Sequence, residues 1–128
     1  MNQILWELPV PSSSLTRGPY FSADGRQCEL AYYLETEDGD RKETVLFEGV
    51  EAYKCTYYTS LSVEMIRVAY AKIVRIDPSP WLLEVRRRFL ENTQGMRKVA
   101  NSEELQHLMI CFDDGPCYEV ICVAFRTP

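Results

Sequence analysis

LQHLMICFDDGPCYEVICVAF, residues 105–125, decides how the chain folds. Two apolar runs flank Asp113-Asp114-Gly115-Pro116, the composition of a tight turn, so the stretch reads as a β-hairpin. A turn centred on Asp114-Gly115 sets Phe112 against Cys117, Ile110 against Glu119, and His107 against Cys122. Side chains alternate across a strand. Leu108, Ile110, Phe112, Cys117, Glu119, Ile121, Val123 and Phe125 then share one face, and His107, Met109, Cys111, Tyr118, Val120, Cys122 and Ala124 the other. Both faces are mostly apolar, whereas a half-solvated antiparallel pair alternates apolar with polar. The hairpin is therefore expected to be central and covered on both sides, by the first hundred residues or by a second copy of the chain.

Working backwards, polar residues 92–104 form a long connection with no dependable period. Ser79-Pro80-Trp81 before it is a clear helix start, with Ser79 as N-cap and Pro80 at the first helical position. That helix is expected to run to about Glu91, with Trp81, Leu82, Val85 and Phe89 on one stripe. Leu61, Met65, Val68 and Ala69 mark a shorter amphipathic helix within 60–70, capped by Ser60 or Ser62. The β-branched content of Ile73–Ile76 favours a strand.

Between residues 20 and 58 the pattern is β. Asp24-Gly25 and Asp38-Gly39 separate three runs, and centring the second turn on Asp38-Gly39 pairs Tyr32 with Val45 and Leu30 with Phe47. These four share a face with Cys28 and Leu34. Gly49 marks a break before a strand over 50–58. Residues 1–19, with Pro9, Pro11, three serines and Gly18-Pro19, read as an irregular N-terminal arm pinned by Trp6, Leu5 and Leu8. The expectation is a single α+β domain spanning 1–128. Its mostly antiparallel sheet of about five to seven strands packs with two helices, and the C-terminal hairpin is central.

Composition narrows the function. The net charge of −5 argues against sequence-independent nucleic-acid binding, which relies on Lys and Arg neutralising phosphates. No apolar run approaches the ~20 residues that span a bilayer, and no basic segment precedes a long apolar one at the N-terminus, so a cytoplasmic location is expected. The five cysteines, none in a C-x-x-C pair, read as buried reduced thiols.

Four features bear on chemistry. His107, the only histidine, stands across from Cys122 in the proposed register, close enough for an imidazole–thiol contact at ~4.5–5.5 Å between Cβ atoms. Apolar flanks favour an inert thiol over a nucleophile. Glu119, on an otherwise apolar face, must reach water or find a partner, and a position near the turn where water reaches it is expected. Arg86, Arg87 and Arg88, with Arg97 and Lys98 downstream, form the concentrated basic patch, a candidate for an anion or an acidic partner. Cys111 lies about 13 Å along the strand from His107, too far to share a tetrahedral metal site with it and Cys122. No metal or other cofactor is expected.

Three segments, FEGVEAYKCTYYTSLSVEMIRVAY (47–70), SPWL (79–82) and HLMICFDDGPCYEVIC (107–122), resemble a family of small, functionally uncharacterised bacterial proteins. The resemblance implies a bacterial cytosolic origin and transfers no catalytic residue. The leading expectation is a non-enzymatic protein-interaction or assembly module that binds itself, as a homodimer, or another protein. It rests on the doubly apolar hairpin, the strand tyrosines and the lack of converging polar residues. The rival is a small enzyme or ligand-binding protein with a pocket between sheet and helices near His107, Cys122 and Glu119.

Overall fold

A computed structural model describes residues 1–94, 102–113 and 115–128. Asp114 of the expected hairpin turn, and Arg97 and Lys98 of the polar connection, lie outside the described residues. Among those described there are nine strands and two α-helices, an α+β architecture of antiparallel sheets. The strands are β1 (Gln3–Glu7), β2 (Arg17–Asp24), β3 (Gln27–Thr36), β4 (Gly39–Glu48), β5 (Ala52–Thr56), β6 (Lys72–Arg75), β7 (Gln106–Cys111), β8 (Cys117–Cys122) and β9 (Ala124–Arg126). The helices are α1 (Val63–Ala69) and α2 (Pro80–Thr93).

The expected single sheet is two. One has the order β1-β6-β7-β8-β5 and the other β2-β3-β4-β9. Cys28, Leu30, Tyr32, Leu34, Val45 and Phe47 of the second sheet pack against Ile73, Leu108, Ile110, Phe112, Tyr118, Val120 and Cys122 of the first. The helices cover the far side of the five-stranded sheet. There Ala69, Met65 and Val68 meet Val74, Met109, Cys111 and Cys117, while Trp81, Leu82, Val85 and Phe89 meet Leu105 and Ile121. The β7–β8 hairpin is thus central and buried on both faces, as its doubly apolar pattern requires. Its own chain supplies both covers.

The register of that hairpin differs by one residue from the sequence expectation. Cys111, not Phe112, stands against Cys117, and His107 stands against Ile121. Phe112 donates its N–H to the Pro116 carbonyl, and Gly115 donates to the Phe112 carbonyl, which closes the turn. A one-residue slip sends every side chain of a strand to the other face. Tyr118, Val120 and Cys122 therefore join Leu108, Ile110 and Phe112 between the sheets, and Glu119 moves to the helix side with His107. The expected register would have left a carboxylate against the apolar inter-sheet core, where an unpaired charge is very costly.

In the β3–β4 pair the slip is two residues, with Leu30 against Val45 and Cys28 against Phe47. An even slip preserves the faces, so the expected apolar set is the buried one. The N-terminal stretch is not irregular throughout. β1 lines the edge of the five-stranded sheet beside β6, and β2 begins at Arg17. Trp6 still acts as the pin, its ring 6.4 Å from that of Tyr32. The C-terminal run also divides, because after Val123 the chain crosses to the other sheet and β9 pairs with β4. Gly49, at φ +64°, permits this crossing of chains; a Cβ there would lie 2.8 Å from Val123 Cγ2, too close for any side chain.

Tyr32 is fully buried between the sheets, and its hydroxyl has no hydrogen-bond partner among the described residues. An unpaired buried hydroxyl carries a desolvation cost of about 1–3 kcal/mol. Tyr32→Phe is accordingly expected to raise stability by about 1 kcal/mol, measured as a higher urea midpoint at unchanged slope. A lower midpoint would mean that the hydroxyl has a partner after all.

Candidate functional site

The slipped register gathers polar groups that the sequence kept apart. Ser79 precedes α2 in extended geometry, and its Oγ accepts the Leu82 N–H at 3.0 Å, a serine N-cap. That same Oγ lies 2.7 Å from His107 Nδ1, and His107 Nε2 lies 3.0 Å from Glu119 Oε1. An ionised carboxylate only accepts, so Nε2 carries a proton, and toward a neutral imidazole the Ser79 hydroxyl donates to Nδ1. The Lys54 ammonium, on the strand directly beside Glu119, stands 3.6 Å from Oε2 and 4.4 Å from the centre of the Trp81 ring. Trp81 meets the imidazole edge to face at 5.0 Å. α2, β7, β8 and β5 are joined through one run of hydrogen bonds and charges.

Electrostatics suit an ionised Glu119. Burial pushes its carboxyl pKa up, but the His107 hydrogen bond and the Lys54 charge outweigh burial and leave it below the usual carboxylate value. The expectation of a solvated Glu119 near the turn is corrected: it is buried because two partners replace water. So is the expectation that no polar residues converge.

Cys122 does not belong to this group. It faces the inter-sheet core, where burial pushes its thiol up to about 12, and the one-residue slip is what separates it from His107. Cys28, Cys111 and Cys117 are likewise buried and free, whereas Cys55 is free and exposed. The arginine run does not converge either. Arg86 folds inward, donating from Nε to the Ser102 carbonyl at 3.1 Å and from Nη2 to the Leu105 carbonyl at 2.8 Å. Arg87 pairs with Glu91 and Arg88 with Glu84, each one helical turn away. Among the described residues, no group of three or more His, Cys, Asp or Glu is placed to hold a metal ion, and no helix is long and apolar enough to cross a membrane.

Serine, histidine and glutamate in sequence resemble the parts of a nucleophilic relay, but their surroundings determine what they can do. Ser79, His107 and Glu119 are 4%, 6% and 5% exposed. Both ring nitrogens are engaged, and the serine oxygen already caps a helix. An open cleft of about 520 Å³ nearby is lined by Gln3, Arg75, Asp77, Arg86 and Gln106 among others, and by none of the three. The arrangement is a closed polar clamp that fixes α2 on the sheet. Ser79 was legible in the sequence only as a cap, and Lys54 and Trp81 not at all as its associates. Opposite charges at Lys54 and Glu119 were the available signal, usable once β5 is set beside β8.

A second feature lies on the outer margin of the five-stranded sheet. β5 ends the strand order, with no strand on its free side among the described residues. Tyr53, Tyr57 and Tyr58, on and just after it, are 51%, 69% and 58% exposed. Tyr53 is held from behind by Phe21, ring centres 5.2 Å apart. Compared with known proteins, the chain matches no family model, no curated protein and no solved structure.

Proposed function

We propose that the chain is a non-enzymatic protein-interaction module whose contact surface is the β5 margin with its three tyrosines. The observation that carries this reading is the coincidence of a strand edge left unpaired among the described residues with exposed aromatic side chains. An open edge offers main-chain hydrogen bonds to an added strand, and tyrosines concentrate in interaction hot spots. A lysine on such an edge normally guards it. Here the Lys54 ammonium is drawn toward Glu119 and the Trp81 ring, which leaves the edge less defended. The buried clamp supports the same reading from the other side, since its serine and imidazole are turned inward and engaged.

The partner is a second copy of the chain or another protein. Light scattering across a concentration series separates these, because a strict monomer at high micromolar concentration removes the homodimer. The surface itself is tested with Tyr57→Ala/Tyr58→Ala. Both rings are exposed, so stability should stay within about 0.5 kcal/mol of wild type, while self-association, or recovery of a bound partner in a pull-down, should fall at least tenfold, about 1.4 kcal/mol. Equal association by wild type and double variant would remove the β5 margin as the contact surface.

A further inference from the structure

We propose that Ser79, His107 and Glu119 form a proton-operated latch, in which protonation of the imidazole at Nδ1 loosens the N-terminus of α2 from the sheet. The step is a plain acid–base one, with the proton taken from solvent. In the neutral state the Leu82 N–H points into Ser79 Oγ, the Ser79 O–H into His107 Nδ1, and His107 Nε2–H into Glu119. Every donor has an acceptor. Once Nδ1 carries a proton it becomes a donor facing a hydroxyl that was itself donating. The Ser79 O–H must then turn away, and among the described residues no other acceptor is bonded to it. The serine oxygen has lone pairs for both Nδ1–H and the Leu82 N–H, but its own O–H is then buried without an acceptor, a cost that opening the cap to water removes, while the link to Glu119 gains a full charge. Protonation thus favours opening of the helix cap while it tightens the histidine's hold on the neighbouring strand.

Glu119 on β8 is the charged group that touches the imidazole, and Lys54 on β5 acts through it. On the other packed elements, Arg75 of β6 bonds Gln3. Arg86 of α2 bonds backbone carbonyls, and Glu84, Arg87, Arg88 and Glu91 of α2 pair among themselves. Cys111 and Cys117 lie on the same face of the sheet. Asp77 precedes the helix, its N–H bonded to Asn2. Histidine is the side chain whose charge ordinarily changes between about pH 5 and 8, and that is the range to scan.

Trp81 reports on it, being in ring contact with His107. In a Trp6→Phe background of the full chain, Trp81 emission is followed from pH 8 to 5 together with hydrogen exchange at the Leu82 amide. The expected result is a single emission transition. Leu82 exchange, corrected for its intrinsic pH dependence, should accelerate about fivefold across the same transition, the size of a lost serine cap. In Ser79→Ala, Leu82 should exchange fast at every pH while the emission transition persists. In His107→Gln both pH dependences should vanish. Corrected Leu82 exchange that stays flat in wild type would overturn the latch, as would an unchanged profile in His107→Gln. Should that variant not fold, the ring carbon-bound proton resonances of His107 in wild type decide: a ring that stays neutral until the chain unfolds overturns the latch, and one that titrates with Leu82 exchange upholds it.

Discussion

Glu119→Ala is expected to lower the unfolding free energy by about 3 kcal/mol, read from urea denaturation at pH 7. The substitution strips a buried His107 N–H of its acceptor and leaves a hole on the helix side of β8. Lys54 contributes less to the loss, since it is half exposed and can return to water. Glu119→Gln keeps the shape and an acceptor for the imidazole and should cost about 1 kcal/mol. The pH dependence has a definite sign. The folded carboxyl is held below its ordinary value, so the folded state binds the ionised form better than the unfolded chain does. That contribution is complete above the unfolded carboxylate value, about 4.3, and is lost as the pH falls through the lower folded one. The gap between wild type and Glu119→Gln should therefore narrow below about pH 4.3. A Glu119→Ala variant within about 0.5 kcal/mol of wild type, as for an ordinary surface position, would show that the carboxylate is not part of a buried clamp.

Parity explains which parts of this architecture were legible in the sequence. The inward face of β3 and β4 came out correctly from a register two residues off, because an even slip leaves Cys28, Leu30, Tyr32, Val45 and Phe47 together. The same reasoning applied to β7 and β8 gave the right hairpin and the right double burial, yet an odd slip placed His107 beside Cys122 instead of Glu119. Local chemistry marks helix starts well: Ser62 and Ser79 both accept the N–H three residues on, as their cap positions require. It says little about partners distant in the chain. The division of strands between two sheets depends on the crossings near Gly49 and Val123, and neither residue announces which sheet its neighbours join. Lys54 stands 65 positions from Glu119 in the chain and meets it only because β5 pairs with β8. The edge strand β1 was hidden for a related reason, since five residues before a proline pair carry almost no periodicity until β6 lies beside them.

Phe47→Ala is expected to cost about 4 kcal/mol, and it tests the layering of the two sheets that backs the β5 margin. Phe47 is fully buried on β4, set against Cys28 on one side and Phe125 on the other, and its ring lies 6.4 Å from that of Phe21. Phe21 in turn stacks on Tyr118 at 4.9 Å and touches Tyr53. Removing the Phe47 ring empties space between the sheets and withdraws support from the aromatic row that backs the β5 margin. Phe47→Leu, which keeps most of the volume, should cost about 1 kcal/mol, and Leu83→Ala on the exposed side of α2 no more than about 0.5. Equal urea slopes among these variants would place the losses in the folded state rather than in the denatured chain. If Phe47→Ala behaved like Leu83→Ala, the four-stranded sheet would not be packed on the five-stranded one. Tyr53 would then lose its backing, and with it the reason its ring is held at the free edge of β5.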